Sequence, residues 1–189
     1  MRLLSVDRIM FFRRSGQDGA CGLNTRQGES PDVSCRPVLP ETLDDVLSYR
    51  TADVRETFAG YLRQGRSGTY AYQGDKVVGH VWMWSAEGGE LSATMGVDAP
   101  VARRRKLFGW IPLPDDWDFL YFCRATSDLA LDTLLAYCIR RIEDGRIVGI
   151  SLPRNDKMLL ESVRRMGFSY SHTYTRVSLF GFTLFQKET

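Results

Sequence analysis

Apolar and polar residues alternate with two different periods along the chain, and the changes between them predict the order of its strands and helices. In the N-terminal part, residues 8–14 form a β-prone segment. The polar stretch 15–32 carries four glycines and no apolar period, which predicts a mobile surface loop. Regular structure resumes with a short strand at 34–38.

Two amphipathic helices are predicted next. The first opens at Pro40-Glu41, where a proline and an acidic residue suit a helix start. Its apolar residues Leu43, Val46 and Leu47 are expected to share one buried face. The second helix covers about 53–64 and ends before a glycine.

The middle of the chain predicts a β-hairpin followed by a less regular segment. Strand-like runs at 69–72 and 77–84 are joined by four residues typical of a turn. Residues 90–97 predict a further strand. The stretch 98–116 predicts a loop that contains the basic cluster Arg103–Lys106.

The second half predicts a strand at 118–125, a helix at 127–143, a strand at 146–152, and a short helix that ends at Met166-Gly167-Phe168. Two late β segments, 169–179 and 181–186, complete the pattern. This order favours an α+β fold, with a mixed, mostly antiparallel central sheet flanked by helices and a βαβ crossover in its middle. Residues 1–33 are expected to form an N-terminal β segment with its mobile loop, and residues 34–189 a single domain.

Composition excludes several classes of protein. The chain has 189 residues, 43% of them hydrophobic, which is enough for one full-sized core. A formal net charge of +2 does not indicate a nucleic-acid binder. No apolar run approaches the ~20 residues that span a bilayer, and Asp7 and Arg8 interrupt any signal-peptide core. The expected location is the cytoplasm.

The cysteines predict neither a metal site nor a disulfide framework. The chain has four cysteines, no CxxC pair and two histidines. Cys123 and Cys138 lie in a predicted strand and helix, where a free cysteine behaves as a small apolar residue.

Three short motifs, in this order, resemble the GNAT superfamily of N-acyltransferases over about 34–180. They are the hairpin motif Val77-Val78-Gly79-His80, the helix face Leu134-Leu135-Cys138-Ile139, and Asn155 separated by eleven residues from Gly167-Phe168. The resemblance implies a GNAT-like fold and an acyl-CoA or carrier-linked phosphopantetheine thioester as co-substrate, with no permanently bound cofactor. A small-molecule amine would be the acceptor, and an acyl carrier protein is a candidate partner.

The resemblance also implies a site. In such a fold the central strand splays from its neighbour, so that its free backbone groups can pair with pantetheine. Backbone donors stabilise the oxyanion, and a carboxylate or histidine accepts the proton of the amine. The candidate catalytic residues are His80 and Cys123, with Glu90 and Glu161 as other bases. The candidate donor-binding residues are Cys123, Arg124, Ala125, Ser127 and Asn155.

The sequence departs from the family at two functional positions. The glycine-rich pyrophosphate loop before the helix is missing: the corner 125–130 contains no glycine, and Asp128 and Asp132 would repel a phosphate. The tyrosine that protonates the leaving thiolate in many family members is replaced by Val163. A donor without the CoA nucleotide, such as an acyl carrier protein that docks on the basic cluster Arg103–Lys106, would not need the missing loop.

Two alternatives stay open. The chain is either an inactive GNAT-like domain that serves in binding or assembly, or an unrelated α+β ligand-binding protein. The single residues also have plain structural interpretations: His80 as an ordinary strand residue, Cys123 as a buried apolar one, and Asn155 as a helix cap. The sequence indicates neither the acceptor nor the oligomeric state.

Overall fold

The computed structural model describes residues 4–15, 32–85, 117–142, 146–153, 155–179 and 182–187. The strand predicted at 90–97, the loops predicted at 16–31 and 98–116, Glu90 and the basic cluster Arg103–Lys106 lie outside these residues. The elements in chain order are β1 (Leu4–Ser15), β2 (Ser34–Pro37), a 3₁₀ helix (Pro40–Ser48), α1 (Ala52–Arg63), β3 (Ser67–Gln73), β4 (Lys76–Ser85), β5 (Trp117–Ala125), α2 (Asp128–Ile139), β6 (Ile147–Pro153), α3 (Lys157–Arg165), β7 (Ser169–Leu179) and β8 (Phe182–Lys187).

The described strands form one mixed sheet in the order β2-β3-β4-β5-β6-β1-β7-β8. Within the described part of the chain, β5 and β6 are the parallel neighbours, and the other paired strands run antiparallel. The prediction of a mixed, mostly antiparallel sheet flanked by helices is therefore confirmed. A helical crossover, α2, joins the two parallel strands, as parallel pairing requires.

The N-terminal strand occupies an interior position. β1 pairs with β6 on one side, from Ile9↔Pro153 to Ser15↔Ile147. On its other side it pairs with β7. The last strand, β8, pairs with β7 and is the final strand of the described sheet on that side.

Helices cover both faces of the sheet and give two hydrophobic layers. The α2 layer lies under α2 and α3 and includes the buried residues Leu120, Leu134 and Val163. Gly79 allows α2 to approach β4 closely, because a Cβ there would lie 2.8 Å from Leu134 Cδ1. The α1 layer lies under the 3₁₀ helix and α1. It is rich in aromatic rings, and its buried members include Phe58, Tyr70, Trp82, Phe119 and Tyr121.

The first predicted helix differs from its expected form. It is a 3₁₀ helix, in which residues three apart lie above one another. Leu43 and Val46 have this spacing and are buried, whereas Leu47 is 46% exposed. The expectation that all three share a buried face is therefore wrong, because it assumed the period of an α-helix.

Candidate functional site

β5 and β6 separate halfway along their length. Their parallel pairing runs from Trp117↔Ile147 to Leu120↔Ile150 and then ends. β5 continues to Ala125 and β6 to Pro153 without pairing with each other. A cleft therefore opens toward the carboxyl ends of the two strands. We call residues 121–125 the open half of β5, and residues 117–120 its closed half.

A β-bulge lies at the start of the open half. His80 pairs with Arg124 and Trp82 with Tyr121, so two residues of β5, Phe122 and Cys123, face the single residue Val81. Phe122 has a φ of 50°, which is uncommon for a bulky side chain. The bulge directs Phe122 into the α1 layer and Cys123 into the α2 layer.

One side chain crosses the cleft. Arg124 Nη1 donates to Asp156 Oδ2 at 2.7 Å and to the carbonyl oxygen of Cys123 at 3.1 Å. The other oxygen of Asp156 accepts from Leu159 N at 3.1 Å and caps α3. The guanidinium group thus links a carbonyl of the open half to the start of α3, where no β6 residue pairs with β5.

The start of α2 is acidic and internally paired. Ser127 caps the helix by accepting from Ala130 N at 3.3 Å. Arg165 of α3 binds Asp132 at 3.0 Å and approaches Asp128 to 4.0 Å. This helix start therefore presents carboxylates where a phosphate-binding loop presents glycine amides.

His80 lies in the α1 layer and is completely buried. Its ring packs against Phe58 and Phe122, with centroid distances of 4.8 and 5.1 Å. Burial, reinforced by the positive charges of Arg50 and Arg124, holds the pKa of His80 well below its ordinary value of 6.5. The imidazole is consequently neutral at physiological pH.

The hydrogen bond of His80 is linked to its tautomer. Its Nδ1 is bonded to the hydroxyl of Tyr49. Burial raises the pKa of Tyr49, so the phenol keeps its proton, and it can either donate to Nδ1 or accept from it. A neutral imidazole that accepts at Nδ1 carries its own proton at Nε2, and Nε2 has no hydrogen-bond partner among the described residues.

Cys123 lies on the other face of the sheet from His80. Its side chain is 3% exposed and belongs to the α2 layer. Burial raises the pKa of this thiol, so the thiolate that a nucleophile requires is not populated at neutral pH. The structure therefore does not bring the two candidate catalytic residues together.

The remaining candidate residues lie in a strand pair, at the surface or in the core. Ala125 pairs with Gly79 at the end of β5. Asn155 is exposed, and the cap of α3 is Asp156 rather than Asn155. Val163 is fully buried. Because valine has no hydroxyl, this position of α3 cannot supply the proton that the family's tyrosine supplies. Glu161 is an exposed residue of the same helix.

Two classes of site receive no support from the described part of the chain. No group of three or more histidine, cysteine, aspartate or glutamate side chains there could hold a metal ion. No helix in the same residues is long and apolar enough to cross a membrane.

Comparisons with known proteins identify the fold. No protein-family model matches the sequence, and no curated protein matches it. A tandem GNAT protein from the clavulanic acid biosynthesis pathway matches by structure over 93% of this chain, with a TM-score of 0.57 and 10% identity. A protein from Novosphingobium aromaticivorans assigned to the GNAT acetyltransferase family matches over 100% of this chain, with a TM-score of 0.51 and 11% identity.

A conserved protein of unknown function from Staphylococcus epidermidis is also similar, with a TM-score of 0.58 and 11% identity over 92% of this chain. The chain spans 62% of that structure, 54% of the tandem GNAT protein and 68% of the Novosphingobium protein. At these identities the likeness concerns the fold alone. The fold is that of the GNAT acetyltransferases, as the sequence motifs predict.

Sequence reasoning missed three features of the site. The bulge at Phe122 carries no signal, because neither glycine nor asparagine marks the positive φ. The bridge from Arg124 to Asp156 joins residues 32 positions apart. The hydrogen bond between Tyr49 and His80 joins residues 31 positions apart, and only the packing of the 3₁₀ helix on β4 brings them together.

Proposed function

We propose that this protein is an N-acyltransferase that binds the pantetheine arm of an acyl thioester in the cleft between β5 and β6. The observation that carries the proposal is the end of β5–β6 pairing at Leu120↔Ile150 while both strands continue. An extended, amide-containing arm can pair with the free edge of the open half as an added strand would.

The reaction is an acyl transfer between sulfur and nitrogen. The nitrogen of a small-molecule amine attacks the thioester carbonyl, and the resulting oxyanion is stabilised by backbone N–H groups near the bulge. The carbon–sulfur bond then breaks and an amide forms. The proton that the amine loses is taken up by the departing thiolate, so the products are an amide and a free pantetheine thiol.

The charges near the cleft favour a donor without the CoA nucleotide. A pyrophosphate at the start of α2 would meet Asp128 and Asp132, whose two negative charges the single charge of Arg165 offsets only in part. A carrier-linked phosphopantetheine brings one phosphate and can leave this helix start unoccupied. We therefore propose an acyl carrier protein as the donor partner, with acyl-CoA as the weaker donor.

The bridge from Arg124 to Asp156 provides a direct test, because a donor arm must displace it to reach the carbonyl of Cys123. The Arg124→Gln variant should bind acyl-pantetheine several-fold more tightly than the wild type by titration calorimetry, since a hydrogen bond of this kind contributes about 1 kcal/mol. The Arg165→Gln variant is the matched control, because it removes an ion pair of α2 and α3 outside the cleft. If neither the wild type nor Arg124→Gln binds acyl-pantetheine, acyl carrier or acyl-CoA, the proposal is wrong.

A second function, an inactive domain that serves in binding or assembly, is favoured by a different observation. Arg124 occupies the cleft, Cys123 is buried as a thiol, and position 163 carries valine. Donor binding without turnover by any amine would support this function over the enzyme. Donor binding with release of free thiol would exclude it.

A further inference from the structure

The α1 layer contains buried hydrogen-bond donors that lack acceptors. Among the described residues, Tyr70 Oη, His80 Nε2 and Arg50 Nε are buried and have no hydrogen-bond partner. Buried polar groups are almost always paired, and each exception calls for a missing water, ion or ligand. Arg50 Nε is a donor, Tyr70 Oη can donate, and His80 Nε2 donates in the tautomer whose Nδ1 accepts from Tyr49.

The three residues are connected by strand pairing and by contacts through Tyr49. Tyr70 and His80 pair opposite each other on β3 and β4. Tyr49 is bonded to His80, and the guanidinium of Arg50 lies over the Tyr49 ring at 5.6 Å from its centroid. Arg124, which pairs with His80 across β4 and β5, connects this group to the open half of β5.

Arg50 differs from three arginines near the cleft. Arg124, Arg146 and Arg165 each bind a carboxylate within 3.0 Å. Arg50 forms no salt bridge among the described residues, although its charge interacts with that of exposed Asp53 and its own Nε is inaccessible to solvent. A bound anion would pair with this half-buried guanidinium more directly than Asp53 does.

We propose that Arg50, His80 and Tyr70 bind the carboxylate of the acceptor, so that the substrate class is an amino carboxylic acid. This proposal rests on the proposed function, since it assigns the acceptor side of the same cleft. One guanidinium beside two neutral donors matches a single negative charge, which favours a carboxylate over a phosphate dianion. Aromatic rings of Tyr49, Phe58 and Phe122 surround the donors and favour an apolar side chain on the acceptor.

The test measures acceptor binding with no donor present, so that failure of donor binding leaves it unaffected. The probes are L-phenylalanine, the matched amine phenethylamine, and inorganic phosphate. Long-range ¹H–¹⁵N spectra report the imidazole nitrogens of His80, and His172 on β7 serves as an internal reference. Thermal shifts measure the affinity.

The expected result is a shift of the His80 Nε2 signal by L-phenylalanine, with binding at least about tenfold tighter than that of phenethylamine. Arg50→Gln should weaken the binding of L-phenylalanine at least about tenfold. Tyr70→Phe, which keeps the ring and the fold, should weaken it about threefold or more. Arg36→Gln is the control, because Arg36 also lies over a tyrosine ring, that of Tyr72, but on exposed β2, and it should change nothing.

Three outcomes would overturn the proposal. Equal affinity for L-phenylalanine and phenethylamine would show that the carboxylate is not recognised. Tighter binding of inorganic phosphate would assign the donors to a different anion. A His80 signal that responds to none of the probes, in a folded protein, would mean that the donors hold only a buried water.

Discussion

The closed and open halves of β5 are consecutive parts of one strand, yet they are held in different ways. In the closed half, a parallel ladder joins β5 to β6, and the buried pair Asp118–Arg146 at 2.8 Å links the same two segments. In the open half, the ladder is absent and the more exposed pair Arg124–Asp156 at 2.7 Å spans the gap. An ion pair supplements the ladder in one half and replaces it in the other.

The comparison shows how a sheet keeps a cleft open at its centre. β5 remains paired with β4 as far as Ala125↔Gly79, and β6 remains paired with β1 as far as Pro153↔Ile9. Each strand is therefore held by its outer neighbour beyond the point where the inner ladder ends. The outer strands therefore fix the directions of both walls of the gap.

The two halves should differ most clearly in how much unfolding free energy is lost when the carboxylate of each ion pair is removed. Asp118→Asn leaves Arg146 largely buried beside a neutral group and should lower the free energy of unfolding by about 2–4 kcal/mol. Asp156→Asn keeps a residue that caps helices well and removes a partly screened pair, so the loss should be less than about 1 kcal/mol. Urea unfolding of both variants measures the difference, and equal losses would contradict the distinction between the halves.

His80, which pairs with the open half, should make the stability depend on pH. Its pKa is depressed in the folded state, so below its ordinary value of 6.5 the unfolded chain binds a proton that the folded chain does not. The free energy of unfolding should therefore fall as the pH falls below 6.5, with a slope of at most about 1.4 kcal/mol per pH unit.

The control for this pH effect is a pair of variants. In His80→Gln, the unfolding free energy should fall less steeply with decreasing pH than in the wild type, even if the variant is less stable at every pH. His172→Gln, which keeps His80, should show the wild-type slope. Urea unfolding at pH 7.5, 6.5 and 5 gives the slopes. The same slope in wild type and His80→Gln would show that His80 does not cause it.

A modest effect is expected at Ser127, where the open half passes into α2. Ser127→Ala removes the cap on Ala130 N and should cost about 1 kcal/mol of stability, whereas Ser127→Thr retains a capping hydroxyl and should cost less. Donor affinity distinguishes a cap from a ligand contact. If Ser127→Ala also binds acyl-pantetheine more weakly than Ser127→Thr at a temperature where both are folded, Ser127 contacts the donor.

Local patterns in the sequence predicted much of the fold for identifiable reasons. Trp82 and Trp84, like Phe119 and Tyr121, lie two residues apart, a period typical of a strand with one face in the core, and Trp82, Phe119 and Tyr121 are buried there. The motifs around Gly79 and Gly167 predicted the GNAT-like fold through their resemblance to that family. In the structure, Gly79 allows a close helix contact and Gly167 takes a left-handed turn after α3.

The candidate site was less predictable, because its contacts join residues distant in the chain. The sequence placed His80 and Cys123 on neighbouring strands, but alternation and the bulge put their side chains on opposite faces. It marked Arg124 as a residue of the donor site, but nothing local indicated that Asp156 already binds its guanidinium.

The amino-acid sequence by itself determined most of the described elements, their order and the loss of the glycine-rich loop, because period, turn residues and glycine content are local properties. The tertiary structure alone decided where β1 lies, where the β5–β6 ladder ends, and which polar atoms are buried without partners. These depend on pairing and packing between segments far apart in the chain. The cleft and the donor-rich layer beside it result from that long-range pairing.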